Sequence, residues 1–507
     1  MLAKTKAFAL VGLKGEKIDV EVDIKKSKNS VTLVGLPDAT VKEAEMRVTS
    51  AITNSGFIFP NGQILINLAP ASLKKEGSGF DLGIAIGILV AGGYLTQEQV
   101  KGKVFLGELS LDGKLREIVG MLPLLISAKD VGETTFIIPK GNMGEAKYLS
   151  SINVYAVSTL KEVVELLKGT KTIEPLVQET WQCDKGEQTE DFSRVKGQAR
   201  AKRAMEIAVA GGHNIIMAGA PGSGKTMLAR CVPSILPDLT FEEALEITKI
   251  HSVAGVLDKN KGVVTARPFR APHHTASTVS LTGGGSNSHP GEISLAHHGV
   301  LFLDEMPEYP RSLLETLRQP LEDGVVTVAR ASKTVEYPAS FMLIASMNPC
   351  PCGNYGSRDL ECTCTPSQIE KYLKKLSGPL LDRIDIKIDV DRVEFLDLRR
   401  DTRSETSAEV KTRIDKARKI QLERFKGDKI FTNAKMNSKH IKTYCEIDQE
   451  TEAVLKRAFD IFNLSARGYT RILKVARTIA DLEGSDKIQK DHVLEAISFR
   501  TIDKYQL

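Results

Sequence analysis

Three short stretches carry residue types and spacings that can do chemistry. The first is Gly219-Ala220-Pro221-Gly222-Ser223-Gly224-Lys225-Thr226, which fits the spacing G-x-x-x-x-G-K-[ST]. A glycine-rich turn of this kind lets backbone N–H groups converge on a phosphate, and the helix that follows adds the positive end of its dipole. In such a loop Lys225 reaches the β- and γ-phosphates of a nucleoside triphosphate, and the Thr226 hydroxyl ligates Mg²⁺. The second stretch is the apolar run Val300-Leu301-Phe302-Leu303, which ends in Asp304-Glu305. A buried parallel strand delivers carboxylates to the edge of a sheet in this way, Asp304 for the Mg²⁺ shell and Glu305 to polarise a water. The third is the apolar run 341–347, ending at Asn348. Its amide can orient the water near the γ-phosphate, or simply cap the loop. Together these groups predict ATP hydrolysis.

A second set of reactive groups follows at once. Cys350, Cys352, Cys362 and Cys364 make a C-x-C…C-x-C pattern on an insertion at 350–364. Four thiolates can close a tetrahedral Zn²⁺ site, whose binding energy would fold a loop with little apolar material. The alternative is four reduced thiols. His273 and His274 are adjacent and have no second His or Cys pair at helical spacing, which favours a structural or nucleotide-communicating role over a metal. Residues 325–328 and 335 bracket a β-hairpin with Lys333 at its tip and Arg330 beside it, a pair that can touch DNA phosphates.

Elements must hold these groups in place. A strand at 214–218 leads into the phosphate loop, and residues 227–232 open the helix after it. Residues 195–210 form an amphipathic helix ahead of that strand. Before them, residues 1–168 form an α/β unit. Its strands are expected at 18–24, 31–34, 64–68, 104–111 and 135–138, with a helix capped by Asp38 and another at 122–128. The helix at 80–90 is apolar on nearly all sides and belongs under other elements. Residues 169–193, polar and holding the lone Trp181, are read as a linker. Residues 194–391 form the nucleotide-binding core. Residues 392–507 are mostly helical and mildly basic. Within them Ser465 caps a helix over 466–482 that stops at Gly484.

The 507 residues carry 42% apolar and 26% charged side chains and a net charge of +5. That balance argues against long disordered tails and permits a nucleic-acid partner without demanding one. Seven cysteines in so long a chain read as a reduced, cytoplasmic set. The most apolar stretch, 82–91, is too short to span a bilayer, and no signal-peptide pattern opens the chain, so no membrane partner is expected.

The strand–loop, strand–Asp-Glu and strand–Asn series describes the AAA+ class of P-loop ATPases. Three further segments narrow it: Arg267-Pro268-Phe269-Arg270-Ala271-Pro272-His273-His274-Thr275, Pro290-Gly291-Glu292-Ile293-Ser294-Leu295-Ala296-His297 and Ser377-Gly378-Pro379-Leu380-Leu381-Asp382-Arg383-Ile384-Asp385. With the phosphate loop they resemble the magnesium-chelatase-like AAA+ proteins, and with Asn348-Pro349-Cys350-Pro351-Cys352-Gly353 the ComM (YifB) subfamily. In the first unit, Glu76-Gly77-Ser78-Gly79-Phe80-Asp81-Leu82 and Gly107-Glu108-Leu109-Ser110-Leu111-Asp112-Gly113 resemble landmarks of a Lon-protease-like domain. The positions of its serine and lysine hold Gly79 and Leu122, so the resemblance implies that fold without a peptidase.

The subfamily resemblance implies a hexameric ring with a helical lid and ATP-driven branch migration of DNA in natural transformation. It implies that Arg383 is a finger inserted into the neighbouring subunit's ATP site; an intrachain pair with Asp382 or Asp385 is the alternative. In the expected lid, Arg467 or Arg471 four residues on can reach back to the nucleotide, with a solvated basic face as the alternative; in related rings a hairpin like that at 325–335 points into the central channel. The competing function is a chelatase-type ATPase that remodels a protein or metal-insertion partner without DNA.

Overall fold

The computed structural model describes residues 2–184, 190–258, 261–285, 288–330, 333–356, 360–392, 404–428, 430–462 and 464–500. They divide into two compact units. One comprises Met1–Cys183 with Thr240–Thr265, the other Asp184–Leu239 with Ala266–Leu507.

The first unit is built on a seven-stranded mixed sheet. Its strands are β1 (Leu2–Val11), β2 (Lys14–Lys25), β3 (Ser30–Val34), β4 (Gln63–Ala69), β5 (Lys103–Phe105), β6 (Thr135–Pro139) and β7 (Asn153–Val157), ordered β3-β4-β2-β1-β5-β6-β7. β1 and β2 form an antiparallel hairpin in register from Leu2↔Asp23 to Val11↔Lys14. The period-2 pattern that builds β1 is written in small residues: Ala3, Thr5 and Ala7 are buried between Lys4 and Lys6. It therefore carries no large-apolar signal and is missing from the sequence-based expectation. The all-apolar helix is α2 below: after α1 (Ala44–Asn54), α2 (Asp81–Ala91) is buried from Asp81 through Val90. Gly87 lets it lie on the sheet, since a Cβ there would stand 2.8 Å from Val22. At its start Asp81 pairs with Arg47 at 2.9 Å; burial nonetheless holds its carboxyl above the usual range. α3 (Met121–Asp130) and α4 (Leu160–Lys168) complete the unit's N-terminal portion.

The segment expected as a linker is laid down on this unit as far as Cys183. The Leu176 N–H donates to the Val154 carbonyl at 2.7 Å, and the Glu179 N–H to that of Lys147 at 2.8 Å.

In the second unit the strands are β8 (Ile215–Ala218), β9 (Phe269–Arg270), β10 (Val300–Leu303), the ribbon β11 (Val325–Arg330) and β12 (Lys333–Pro338), β13 (Met342–Met347) and β14 (Ile386–Asp389). Five make one parallel sheet in the order β9-β10-β13-β8-β14. Every residue of β8, β10 and β13 is buried, as short continuous apolar runs in a parallel sheet should be. α5 (Ala199–Gly211) starts four residues later than the amphipathic pattern suggests, because Gly197 and Gln198 take φ of 64° and 55° and cannot continue a helix. α6 (Lys225–Cys231) follows the phosphate loop.

After Leu239 the chain departs from the single core expected for 194–391. α7 (Phe241–Val253), opened by a Thr240/Glu243 capping box, belongs to the first unit. There Phe241 packs on Trp181 with ring centroids 5.8 Å apart, and Ser252 donates to Glu145 at 2.5 Å. The chain resumes the second unit at Ala266.

The C-terminal helices α8 (Pro366–Leu373), α9 (Ser407–Arg424), α10 (Gln449–Ile461), α11 (Ala466–Glu483) and α12 (Lys490–Ser498) come next. Residues of α9 to α12, among them Ile414, Leu455, Ile472 and Val493, share one hydrophobic core with the sheet. α11 has the expected caps: Ser465 accepts from the Gly468 N–H at 3.1 Å, and Gly484 closes the helix at φ 71°. No helix among the described residues is long and apolar enough to cross a membrane.

Candidate active site

Because β8, β10 and β13 are parallel neighbours, their C-terminal ends deliver three motifs to one edge of the sheet. β8 supplies the loop 219–224, β10 supplies Asp304 and Glu305, and β13 supplies Asn348. Gly222 and Gly224 adopt φ of 76° and 92°, with open space where a Cβ would stand. A side chain there would need the left-handed region, so glycine is what gives the loop its shape. Gly219 is needed for a different reason: a Cβ would fall 2.3 Å from the Val390 carbonyl oxygen.

Lys225 is buried and folds back into the loop. Its Nζ donates to the carbonyls of Gly219 (2.7 Å) and Ala220 (3.0 Å) and to Asn348 Oδ1 (3.3 Å). Burial pushes the Lys225 ammonium down to about 8, against the pull of Asp304 and Glu305. Thr226 donates from Oγ1 to Asp304 Oδ2 at 2.9 Å, which joins the two expected Mg²⁺ ligands directly. The Ser223 hydroxyl is buried and has no hydrogen-bond partner among the described residues. On this glycine-rich turn an orphaned hydroxyl, a lysine and a Thr–Asp pair together fit a Mg²⁺-bound triphosphate.

Glu305 is exposed and sits at φ 50°. A non-glycine residue in the left-handed region is held there by its surroundings. Here the Glu305 N–H donates to Ser346 Oγ at 3.1 Å and to Asp304 Oδ1 at 3.2 Å, while Ser346 Oγ donates to Asp304. Ser346, on β13, thus orients both acids. Nothing in its sequence context sets it apart from any polar residue in a buried strand; only its pairing beside β10 does. Gln198 is a second residue that spacing does not reveal. Its left-handed φ turns it to the phosphate loop, where Nε2 donates to the Ser223 carbonyl at 3.3 Å. Beside it lies a cavity of about 700 Å³ lined by Lys196, Gln198, Lys202, Glu206, Ser404 and Arg413.

The three arginines expected to serve a nucleotide pair away from this chain's own phosphate loop. Arg383 precedes β14, and its carbonyl accepts from Asn214 Nδ2 at 3.0 Å, just before β8 begins. That is the N-terminal edge of the sheet, one strand length from the chain's own phosphate loop (roughly 13 Å for four residues). The Arg383 guanidinium is buried, donates to the Pro379 carbonyl at 2.7 Å and pairs with Glu322. Its intrachain partner is therefore Glu322, neither Asp382 nor Asp385. Arg467 reaches the same carboxylate at 3.1 Å. Arg471 pairs with Asp385 and donates to the Arg383 carbonyl at 3.3 Å. Burial opposes the charge on Asp385, but Arg471 and His213 outweigh it and hold the carboxyl well below its usual range.

The four cysteines converge. Sγ atoms of Cys350, Cys352 and Cys362 are 3.3 to 3.7 Å apart, and those of all four, Cys364 included, lie within 4.8 Å of one another. The His273 and His274 rings are not splayed as on a strand. Their ring centroids lie 4.0 Å apart at a 34° tilt, in a loop, with His274 edge-on to Tyr309. The expected hairpin is present, with Arg330↔Lys333 as its last pair; the side chains of both lie outside the described residues.

In the first unit, Leu122 is buried and its N–H donates to Glu145 at 3.0 Å, while the Ser78 hydroxyl pairs with Glu108.

Three family models match the chain. Magnesium chelatase, subunit ChlI, covers residues 191–398. Subunit ChlI of Mg-chelatase covers 20–142, and the magnesium chelatase subunit ChlI C-terminal model covers 404–500. Among similar proteins, the competence protein ComM of Haemophilus influenzae is 43% identical over 99% of this chain and 98% of its own length. The YifB protein of Escherichia coli is 42% identical over 98% of this chain and 96% of its own. The chloroplastic magnesium-chelatase subunit ChlI-2 of Arabidopsis thaliana is 23% identical over 60% of this chain and 72% of its own. With its phosphate loop, Asp-Glu pair and parallel sheet in place, the chain belongs to the ComM/YifB family of magnesium-chelatase-like AAA+ ATPases.

Proposed function

We propose that the chain is a cytoplasmic ATP-hydrolysing motor that assembles into a homo-hexameric ring and drives branch migration of recombining DNA during natural transformation. The observation that carries the ATPase part is the meeting of Lys225, Thr226, Asp304, Glu305 and Asn348 at one sheet edge. Lys225 exchanges its loop carbonyls for phosphate oxygens, and the 700 Å³ cavity beside Gln198 receives the nucleoside. Mg²⁺ held by Thr226 and Asp304 supplies charge neutralisation when bound. Glu305 draws a proton from the attacking water, and Asn348 orients that water. A Zn²⁺ at Cys350, Cys352, Cys362 and Cys364 is part of the same reading.

Arg383 sits at the edge remote from its own phosphate loop, which supports a role in the next subunit's site; Arg467, on the same carboxylate, would travel with it. Arg383→Ala should abolish hydrolysis and spare nucleotide binding, and mixing it with Lys225→Ala should restore some sites in mixed rings. No recovery in rings shown to be mixed would return Arg383 to an intrachain role.

The DNA substrate rests on the likeness to a competence protein and on the hairpin, where Arg330 and Lys333 would contact phosphates in the channel. The C-terminal helices would serve as the lid, and the first unit as a non-proteolytic Lon-like domain. A second reading is favoured by the chelatase family models along the chain: a motor acting on a protein or metal-insertion partner. ATP turnover without DNA, with duplex and with four-way-branched DNA separates the two. Stimulation by branched DNA supports the first; indifference to all DNA transfers the motor to the second.

A further inference from the structure

The cysteine cluster is usually the kind of feature assigned to local loop folding. Its surroundings reach further. The Sγ separations of 3.3 to 3.7 Å fall far outside a disulfide's ~2.05 Å and close to the roughly 3.8 Å edge of a ZnS₄ tetrahedron with ~2.3 Å bonds. All four cysteines are free. The Tyr355 N–H points at Cys350 Sγ at 3.3 Å, as outer donors do toward metal-bound thiolates.

Three contacts tie this knuckle to the ATP site. Cys350 stands two residues after Asn348, whose Oδ1 accepts from Lys225, and the Met347 carbonyl accepts from the Gly219 N–H at 3.2 Å. Gly353, within the knuckle and at φ 83°, lies against the phosphate loop itself. A Cβ there would stand 2.5 Å from Pro221 Cδ and 2.6 Å from its Cγ. The same polypeptide turn that gathers the thiols therefore presses on one end of the phosphate loop and carries the amide that holds its lysine.

We propose that a soft, tetrahedral divalent cation, Zn²⁺, at Cys350, Cys352, Cys362 and Cys364 is a strut for the ATP site, fixing Pro221 and Asn348 so that nucleotide affinity depends on the metal. This rests on the zinc reading above. Without the ion, four thiols in contact lose the bonds that hold the turn, and its contacts with the phosphate loop loosen together. No DNA or ring assembly enters the argument.

The test separates the site from its coupling. Metal content of the full chain, purified without chelators, and the thiolate-to-Co²⁺ absorption of Co²⁺-exchanged protein report the site. Titration with a fluorescent ATP analogue reports the coupling, for zinc-loaded, stripped and reloaded protein and for two variants. We expect one Zn²⁺ per chain and an affinity about tenfold weaker after stripping, recovered on reloading; tenfold corresponds to about one hydrogen bond's worth of positioning. Cys362→Ser should lose the metal and the affinity together. Gly353→Ala should keep the metal and lose the affinity, because it disturbs the seat on Pro221 without touching a thiol. No zinc and no Co²⁺ band in folded wild type overturns the site. Zinc present, with unchanged affinity after stripping and in Gly353→Ala, overturns the strut and leaves the site standing.

Discussion

The second unit's parallel sheet has two polar edges, and they are satisfied in opposite ways. At the C-terminal edge, Lys225 spends its three protons on the Gly219 and Ala220 carbonyls and the Asn348 amide. These are neutral acceptors that a phosphate can outcompete. At the N-terminal edge, Asp385 is fully engaged by charged or fixed groups: Arg471, His213 at 3.3 Å and the Asn214 N–H at 3.3 Å. Beyond it His213 passes to Thr478 at 2.8 Å, and Thr478 accepts from Asn433 at 3.1 Å. Asn433 and Arg424 both reach Asp481 at 2.8 Å. The contrast shows how to tell a working polar group from a structural one. Both are buried and hydrogen-bonded, but one is held by partners weaker than its ligand, the other by partners nothing will displace.

The comparison can be broken at either edge. The largest expected effect is at the first. Glu305→Gln should bind nucleotide normally and hydrolyse it about a thousandfold more slowly, since the amide cannot take a proton from water. Single-turnover hydrolysis beside a binding titration measures it, and normal turnover would remove Glu305 from the reaction. At the second edge, Asp385→Ala should leave the nucleotide loop intact and lower unfolding free energy by about 2–4 kcal/mol, the cost of orphaning a half-buried cation. Denaturant titration reads that loss. A stable variant that fails to bind ATP would erase the distinction between the edges.

pH sharpens the comparison further. Lys225 in the free protein is held at about 8 by burial, and phosphate would draw its proton back. Nucleotide affinity should then be flat below about pH 8 and weaken by up to about tenfold per unit above it. The same depressed lysine penalises folding while it is charged, so its contribution to stability should rise with pH from about 8 towards 10.5. Affinity titrations from pH 7 to 9.5 check the first half; a flat profile would mean that another group supplies the charge. The smallest effect is expected for Ser346→Ala. It removes the hydroxyl that orients Asp304 and Glu305 but no ligand, so turnover should fall about tenfold with little change in affinity.

Much of the first edge was legible in the chain. A Gly-x-x-x-x-Gly-Lys-Thr loop after an apolar run has few other uses, and acids at the end of a second run can only emerge at a sheet edge. The second edge was not. Arg383 and Glu322 are 61 residues apart, and Asp385 and Arg471 are 86 apart; no local pattern links them, because the sheet order brings them together. Gln198 was hidden differently, by a backbone excursion at Gly197 that amphipathic spacing reads straight through. β1 was hidden by size: alanine and threonine are small enough to be buried anywhere and announce no face.

The detour through α7 has a consequence for how the molecule is made. The first unit is not finished when Cys183 has been synthesised, because α7, whose Phe241 packs on Trp181 and whose Ser252 donates to Glu145, ends only at Val253, and the unit's last residue is Thr265. At ~5–20 residues per second, the nascent first unit waits several seconds for its last piece. During that interval the phosphate loop, Gly219 to Thr226, is already outside the sequence still to come, but its sheet neighbours β10 and β13 are not yet made. The first unit can therefore close only after part of the second has been made, and the second unit's sheet only after the first is complete in sequence. Cutting the gene at the apparent linker yields one fragment without α7 and another that carries it with nothing to cover.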